Sequence, residues 1–419
     1  MRTLLSDWNF HKAGQGCFYS GIINANGQSR FSFVYDCGST NGAAILRQEI
    51  ADFVVKMDAV KKKHIDLLVI SHYDADHVNQ LPVLLKKLQC KIAVLPYLTN
   101  LERIKIYFSQ GLDDGTIDED YSSFISNPAD YLFDLGVEQV IFIDSNDEEA
   151  NFGNPISPND SPDHLNERVL NSEKSREVPL DVSLAAFVDL KFSTASDSPE
   201  KLQLINSAPN TSIAKGNGFI RAGMHWNFFF HIKVQPVLNI EAFKEKLRLV
   251  FGITLTGDFV SPGELDIIMG TAQARSKLKK YHIAYFNDIN RTGLVVLHGP
   301  KGQRHTECFR KRPLYSGRYC FSLLNGDCDL YDISYPAYII NALPETKIFQ
   351  VPHHGSRFNW SFHNELDNLH SAHLVINHAL SAKHPHPYVV SIINAKYPVW
   401  RLKHNTEVKA FNYHITSYI

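Results

Sequence analysis

Hydrophobic and polar positions follow two different periods along the first hundred residues. Two runs rich in β-branched and aromatic residues, CFYSGII and SRFSFVYDCG, flank the turn signal NANGQ, so residues 14–38 are predicted to form a hairpin. Apolar residues three or four positions apart predict a helix from about Ala43 to Lys63. The next run, HIDLLVISH, is largely apolar and is typical of a strand buried on both faces. A helix at VNQLPVLLKKLQ and a strand at CKIAVLPYL complete the predicted order β-β-α-β-α-β.

The pattern is less regular after residue 98. Residues 101–144 are predicted to be mostly helical and to end in a strand at VEQVIFID. Residues 145–180 are rich in Asn, Ser, Asp, Glu and Pro and have few apolar side chains to bury, so they are predicted to be a mobile loop. Strand-like runs return over residues 182–255, and a helix of about six turns is predicted over residues 262–286.

The last part of the chain returns to short strands. Strands are predicted at TGLVVLHG and RYCFSLLNGD, with a basic loop between them, and then at TKIFQVPHHG and AHLVINHA. A helix is predicted at YVVSIINAKY, followed by a strand pair near VWRLKHN. Strands that alternate with helices in this way predict an α/β layer structure.

Composition limits the class of protein without naming a function. The 419 residues are 44% hydrophobic and carry a net charge of −2, so a large core is available and no overall basic field for nucleic acid exists, although a local basic groove remains open. Six scattered cysteines without a CxxC pair predict reduced thiols rather than a disulfide framework. The chain has no run of about 18 apolar residues and no apolar core of a signal peptide, so a cytoplasmic location without membrane contact is predicted.

Four side chains that can bind metal lie within six positions directly after the run HIDLLVIS. They are His72, Asp74, Asp76 and His77. Alternate residues at the end of a strand point the same way, so His72 and Asp74 can share one ion, while Asp76 and His77 lie on the turn into the next helix and can face a second ion. A polar loop that happens to contain two histidines is the alternative explanation.

Further acids and histidines follow other predicted strands. Asp327 follows FSLLNG, His353 and His354 follow FQVP, and His384 and His386 precede the last predicted helix. Ligands in α/β proteins bind outside the carboxyl ends of the strands, so these positions favour one shared site. For any single histidine, a structural role in the core is the alternative.

These motifs, in this order, resemble those of metallo-β-lactamase-fold hydrolases, and they are most similar to the catalytic domain of ComEC-type competence proteins. The resemblance is carried by AGQGCFYS, FVYDCGS, ISHYDADH, NRTGLVVLHG, SLLNGD, VPHHGS and HPHPYVV, and ISHYDADH matches the signature H-x-[HD]-x-D-H. It covers roughly residues 12–98 and 265–410. The resemblance implies an α/β fold with four αββα layers. Its implied boundaries are residues 1–98 and 265–419 for the hydrolase domain, and residues 99–264 for a large central insertion of mixed α/β structure with the mobile loop at about 145–180.

The resemblance also implies a role for each residue of these motifs. The implied metal ligands are His72 and Asp74 for a first ion, Asp76, His77 and His354 for a second ion, and Asp327 between the two. Asp76 would also accept a proton from the attacking water, and His384 would donate a proton or stabilise an oxyanion. The residues expected to orient a ligand by hydrogen bond or to serve as alternative ligands are Asp36, His353, Asn290 and His386.

Two departures from the superfamily pattern bear on the metal. Asp74 stands where the signature commonly has its second histidine, and the histidine expected between the signature and the Gly-Asp motif is absent, its position falling near Asn290 or Thr292. Carboxylates in place of imidazoles favour Mn²⁺ or a weakly held Zn²⁺, and one or two ions are both open. A second Gly-Asp pair, at Asp258, competes with Asp327 for the bridging role, although a turn is the favoured role for Asp258.

The motifs shared with ComEC-type domains also bear on the substrate. The resemblance implies a phosphodiester, with nucleic acid as the expected partner, and Arg310, Lys311 and Arg312 are candidates for contacts with phosphates. A solvated turn explains each of these cations equally well. The aromatic run HWNFFFHI could stack on bases, but a core strand is favoured.

Two other functions stay open at this stage. One is a hydrolase of the same fold that acts on a lactone, a thioester or a small phosphoester. The other is a protein-interaction module without catalysis, stabilised by metal, in which a protein partner binds to residues 99–264.

Overall fold

Two β-sheets lie face to face, and helices cover the outer face of each sheet. The computed structural model describes residues 3–25, 29–109, 119–144, 182–183, 201–202, 204–205, 210–215, 218–223, 225–232, 240–253, 255, 260–261, 264, 267–268, 293–301, 305–309, 313–317, 319–330, 335–360, 364–369, 371–380, 383–398 and 401–418.

The first sheet contains strands from both ends of the chain. In spatial order these are β13 (Pro313–Gly317), β12 (His305–Phe309), β18 (Phe411–Tyr418), β1 (Thr3–Phe10), β2 (Gly16–Ala25), β3 (Ser29–Ser39), β4 (His64–Val69), β5 (Gln89–Pro96), β6 (Val137–Asp144) and β8 (Thr211–Lys215). The strands from β13 to β3 pair in an antiparallel manner, and those from β3 to β8 are parallel. The parallel half therefore carries its carboxyl ends to one edge, where a site is expected.

The second sheet is built in the same mixed way. In spatial order its strands are β17 (Leu402–Asn405), β16 (His373–Asn377), β15 (Thr346–Gln350), β14 (Phe321–Leu324), β11 (Leu294–Pro300), β10 (Trp226–Ile232), β9 (Gly218–Ala222) and β7 (Val182–Ser183). The strands from β14 to β17 are parallel. Aromatic side chains fill the space between the sheets, and the Trp8 and Trp226 rings stack at 5.2 Å between centroids.

Helices form the two outer layers. Those over the first sheet are α1 (Ala43–Ala59), α2 (Ala75–Val78), α3 (Leu81–Leu85), α4 (Asn100–Ser109), α5 (Glu119–Ser126), α6 (Pro128–Asp134) and α7 (Ile240–Phe251), and those over the second are α8 (Ala337–Ala342) and α9 (Pro387–Lys396). Within the described ranges, 3-10 helix occurs at Leu343–Glu345, His353–Gly355 and Asn364–Asn368. The predicted four-layer α/β fold is confirmed. Among the residues described, no helix has the length and apolarity needed to cross a membrane.

Several predicted elements differ in detail from those observed. The sequence VNQLPVLLKKLQ forms the end of α2 and then α3 rather than one helix, with Pro82 in the first turn of α3, where a proline costs no hydrogen bond. The predicted basic loop after β11 carries the strands β12 and β13, and β13 lies at the edge of the first sheet. Strand β1 was not predicted, although Leu4, Ser6, Trp8 and Phe10 alternate as its buried positions. The loop predicted at 145–180 and most of the helix predicted at 262–286 lie outside the described residues.

Strands from residues 99–264 belong to both sheets. β6 and β8 extend the first sheet, and β7, β9 and β10 extend the second, where β10 pairs with β11. Every residue of β10 is buried, so the aromatic run HWNFFFHI is a core strand, as favoured from the sequence. Whether this segment is an insertion in a domain of residues 1–98 and 265–419 stays a prediction.

Candidate metal centre

The predicted metal ligands lie together at the carboxyl ends of strands from both sheets. His72 and Asp74 follow β4, and α2 begins at Ala75, so Asp76 and His77 lie in its only turn. From the second sheet, Asp327 follows β14 and His354 follows β15. All six of these side chains are buried. Six side chains that are distant in the sequence therefore share one buried pocket.

Distances between ligand atoms divide these six side chains into two groups. His72 Nε2 lies 3.8 Å from Asp74 Oδ2 and 3.6 Å from Asp327 Oδ2. His77 Nε2 lies 3.4 Å from Asp327 Oδ1, the other oxygen of the same carboxylate. His354 Nε2 lies 3.1 Å from Asp76 Oδ2, and Asp76, His77 and His354 form a compact group of ligand atoms. Atoms that coordinate one zinc ion tetrahedrally at its usual bond lengths are about 3.4 Å apart, so both groups have suitable spacing.

A hydrogen-bond relay behind the pocket orients two of the histidines. Asp36 accepts hydrogen bonds from the Ser71 backbone N–H at 2.6 Å, from the Ser71 hydroxyl at 2.7 Å and from His77 Nδ1 at 2.8 Å. Because the Ser71 hydroxyl donates to Asp36, its oxygen accepts from His72 Nδ1 at 2.7 Å. Both rings therefore carry their proton on Nδ1 and present Nε2 to the pocket, as metal-binding histidines do.

The HHG turn after β15 holds two histidines in an unusual backbone conformation. His353, His354 and Gly355 have φ values of 46°, 53° and 77°, and left-handed histidines are uncommon outside sites that need them. His354 Nδ1 donates to the carbonyl of Asn377 at 2.9 Å, so its Nε2 faces Asp76. His353 is a quarter exposed, and its Nε2 lies 3.8 Å from Asp327 Oδ2. Both histidines of the pair thus reach the pocket, His354 from inside and His353 from its mouth.

The chemistry of the donor atoms fits a divalent metal. Among the described residues, the buried Nε2 atoms of His72 and His77 have no hydrogen-bond partner, and an unpaired buried nitrogen is costly unless a cation or donor meets it. Burial, followed by the charge of His77, lowers the pKa of His72 to about 4, so its nitrogen is free to bind. Burial alone would raise the pKa of Asp327, but His353 and the other histidines hold it well below its usual value. Nitrogen and carboxylate oxygen are ligands that Zn²⁺ and Mn²⁺ accept.

Two histidines of the second ligand group, His77 and His354, have raised pKa values for the same reason. Burial by itself would lower the pKa of His77, but Asp327, Asp36 and Asp76 raise it well above its usual value. Burial would likewise lower the pKa of His354, and Asp327 and Asp76 raise it. The pocket's carboxylates therefore attract positive charge, and binding of a metal would release protons.

The remaining predicted residues lie at the edge of the pocket or outside the described chain. The His384 ring is 6.0 Å from that of His353, and burial lowers the pKa of His384 to about 4. His386 Nδ1 accepts a hydrogen bond from the N–H of Tyr388 at 3.2 Å, so His386 is the N-cap of α9. The positions Asn290, Arg310, Lys311 and Arg312, together with Thr292 and Asp258, lie outside the described residues.

Several contributors were not singled out from the sequence. Ser71 connects Asp36 with His72, and its place directly before the cluster was the available signal. Gln350 accepts hydrogen bonds from the N–H groups of Asn325 and Gly326 and so supports the turn before Asp327. The carbonyl that orients His354 belongs to the backbone, for which no sequence signal exists. Helix α5 also packs close to the pocket, since the Tyr121 hydroxyl donates to the carbonyl of Tyr73 at 3.0 Å.

Asp36→Asn should weaken metal binding by about 10- to 100-fold, the usual effect of losing a group that orients a ligand. The backbone of Asp36 is left-handed, with φ of 58°, and asparagine tolerates that conformation, so the fold should persist. The amide offers only one acceptor oxygen where the carboxylate offers two. Affinity is measured by competition with a chromogenic chelator. Asp52→Asn, an exposed change on α1, is the matched control, and equal affinities for the two variants would contradict the orienting role.

Residues 22–144 match the sequence model of the metallo-beta-lactamase superfamily. This part of the chain is therefore similar to the metallo-β-lactamase superfamily, a class that usually hydrolyses its substrates and typically binds divalent metals, often zinc. The matched range includes His72 to His77, whereas Asp327 and His354 lie beyond it and are brought to the same pocket by the second sheet. No curated protein matches the chain. This similarity and the clustered ligands together support a metal-dependent hydrolase.

Proposed function

We propose that the protein is a metal-dependent phosphodiesterase that acts on nucleic acid. One observation carries the proposal: Asp327 presents one oxygen to His72 and the other to His77, so two ligand groups share a carboxylate. Such pairs of groups are the usual arrangement of two-metal hydrolytic sites. The site would hold Zn²⁺ or Mn²⁺, as one ion or two.

Each residue of the pocket has a task in this reaction. Divalent ions held by the two groups would lower the pKa of a water molecule toward neutrality and offset charge on the phosphoryl oxygens. Asp76 Oδ2 already contacts His354 at 3.1 Å, and its carboxylate can take the proton of the attacking water. His384, at the mouth beside His353, can donate a hydrogen bond to the leaving oxygen.

The choice of a phosphodiester rests on the ligand set and on the likeness to ComEC-type domains. Asp74, Asp76 and Asp327 place three carboxylates among the six ligands, and hard oxygen ligands suit the ions that bind phosphate. The motifs shared with ComEC-type domains support a nucleic-acid substrate. A lactone, a thioester or a small phosphoester needs no extended surface, and no contact of the described residues favours one of them. A protein partner bound to residues 99–264 stays a prediction.

The purified protein should contain, or take up, one to two transition-metal ions per chain. Elemental analysis after loading with Mn²⁺ or Zn²⁺ and removal of the excess measures this content. A value below ~0.2 ions per chain would exclude a functional metal centre. The loaded protein is then tested on single-stranded DNA, RNA, a cyclic dinucleotide, a lactone and bis(p-nitrophenyl) phosphate. Turnover of the lactone alone would refute the phosphodiesterase and leave a metal-dependent hydrolase.

A further inference from the structure

Exposed apolar side chains concentrate around the mouth of the metal pocket. In the part of the chain that the structure describes, nine large apolar side chains are exposed, and four of them follow three neighbouring strands: Phe358, Leu380, Tyr388 and Val408. Because β15, β16 and β17 are parallel, these four residues lie at the edge of the sheet that also carries His354. A group of exposed apolar residues beside a polar site marks a binding surface.

Two of these four residues are aromatic, and both follow histidines of the pocket closely in the sequence. Phe358 is 76% exposed and lies four residues after His354, and Tyr388 is 50% exposed in the first turn of α9. The two segments are joined, because the N–H of His386 donates to the carbonyl of Gly355 at 3.0 Å. The Arg357 guanidinium lies 5.6 Å from the centre of the Tyr388 ring. Tyr388 and the segment that contains Arg357 and Phe358 are therefore neighbours, and both segments adjoin histidines of the pocket in the chain.

Positive charge accompanies these rings. Arg357 precedes Phe358 and is exposed, and Lys383, also exposed, precedes His384 at the mouth. Exposed aromatic rings next to cations are the combination that binds single-stranded nucleic acid, in which bases stack on the rings and phosphates meet the cations. Bases within a duplex are stacked on each other, so they cannot occupy such a surface without leaving the helix.

We propose that Phe358 and Tyr388 form a stacking site for unpaired bases next to the phosphodiester that lies at the metal centre, with Arg357 and Lys383 at the adjoining phosphates. This stacking site rests on the proposed phosphodiesterase function. It would make the enzyme selective for single-stranded nucleic acid or for the frayed ends of a duplex. Neither a lactone nor an isolated phosphodiester would use this rim. The rim consists of Arg357, Phe358, Lys383 and Tyr388.

The test measures binding by fluorescence anisotropy with the metal-loaded protein. Three probes of equal length are used, each with hydrolysis-resistant phosphorothioate linkages: a twelve-residue oligothymidylate, an abasic strand of the same charge, and a duplex. The parent should bind the oligothymidylate at least about 5-fold more tightly than the abasic strand, since stacking on one aromatic side chain changes affinity by about 5- to 100-fold. The duplex should also bind more weakly than the oligothymidylate.

Variants separate stacking from charge. Phe358→Ala should weaken oligothymidylate binding by about 5- to 100-fold and leave abasic-strand binding unchanged, while Phe358→Tyr should restore the parent affinity. Arg357→Gln should weaken both strands and reduce the slope of log affinity against log salt by about 0.7. Val55→Ala changes another exposed apolar side chain, near the C-terminal end of α1; it is the control and should change neither affinity.

Three results would overturn the stacking site. The first is equal affinity of the parent for the oligothymidylate and the abasic strand, and the second is an unchanged affinity in Phe358→Ala. The third is a dimer of the parent in sedimentation velocity that Phe358→Ala converts to monomers, because the rim would then be a self-association surface. Metal content and hydrolysis of bis(p-nitrophenyl) phosphate are measured on the same samples. If the parent contains no metal and does not hydrolyse bis(p-nitrophenyl) phosphate, the proposed phosphodiesterase function is refuted. If it does both and any of the three results is observed, only the stacking site is refuted.

Discussion

Asp327→Ala is expected to remove both metal sites at once and to reduce bound metal below ~0.2 ions per chain. Asp327 contacts His72 through one carboxylate oxygen and His77 through the other, so the two ligand groups share this carboxylate. Each group would lose a negative charge and a ligand. One ion would keep only His72 and Asp74, the other only Asp76, His77 and His354, and such reduced ligand sets hold a divalent ion weakly. Elemental analysis of the purified variant measures the loss.

Thermal unfolding provides an independent measure of the same loss. Metal at a hundred times its dissociation constant should stabilise the parent by about 2.7 kcal/mol and should not stabilise Asp327→Ala. Circular dichroism of the metal-free proteins shows whether the variant still folds, and Asp327→Asn, which keeps the size of the side chain, separates lost charge from an unfilled space. Asp58→Ala, an exposed change on α1, is the control. A variant that keeps two ions per chain would show that the two groups are separate sites without a common ligand.

The sequence predicted the local part of this site and only one residue, Asp36, of the hydrogen-bond relay behind it. Four of the predicted ligands lie between the end of β4 and the end of α2: His72, Asp74, Asp76 and His77. Because they are so close in the sequence, the geometry of the backbone alone brings them together. The relay through Ser71 depends on Asp36, which lies on a different strand and has φ of 58°. The family resemblance predicted that Asp36 orients a ligand histidine, but no local pattern indicated its left-handed conformation or the connection to His72 through Ser71.

Pairing between distant strands explains the rest of the difference. β1 pairs with β18 along its whole length, although the two strands lie at opposite ends of the chain. β10 pairs with β11 across a long stretch of sequence, so residues predicted to belong to an insertion lie in the middle of the second sheet. Local hydrophobic patterns show that a strand exists, whereas its neighbour is decided by packing of the whole core.

The choice between the two adjacent histidines illustrates the same limit. His353 and His354 are equivalent in the sequence, and the glycine that follows favoured His354 as the ligand. In the structure, His354 is buried and donates to the carbonyl of Asn377. His353 lies at the mouth of the pocket and donates to Asn359 Oδ1, with 2.7 Å between the two atoms. Two successive left-handed residues turn one ring inward and leave the other partly exposed, and no local pattern predicts that conformation.

Asp76→Ala is expected to reduce phosphodiesterase turnover by about 10³-fold or more, the loss typical of removing an activated nucleophile and its support. Asp76 contacts His354 and shares a ligand group with His77, and its carboxylate is the available acceptor for the proton of water. Burial alone would raise the pKa of Asp76, but His77 and His354 lower it, so the carboxylate is charged at neutral pH. Turnover of a generic phosphodiester is measured across Zn²⁺, Mn²⁺ and Mg²⁺, together with metal content.

Asp74→His provides the contrasting change, because Asp74 belongs only to the group with His72 and Asp327. The substitution restores the histidine common at that position of the signature, so turnover should persist, with preference shifted from Mn²⁺ toward Zn²⁺, because imidazole is a softer ligand than carboxylate. Asp76→Asn keeps the size of the side chain and should be as inactive as Asp76→Ala, since an amide cannot accept the proton at neutral pH. Full activity of Asp76→Ala on every substrate that the parent cleaves would show that catalysis occurs elsewhere. Asp74→His could also bind metal and yet have no activity with any ion. The ligand group around His72 would then do more than hold an ion, because one step of the reaction would require the Asp74 carboxylate.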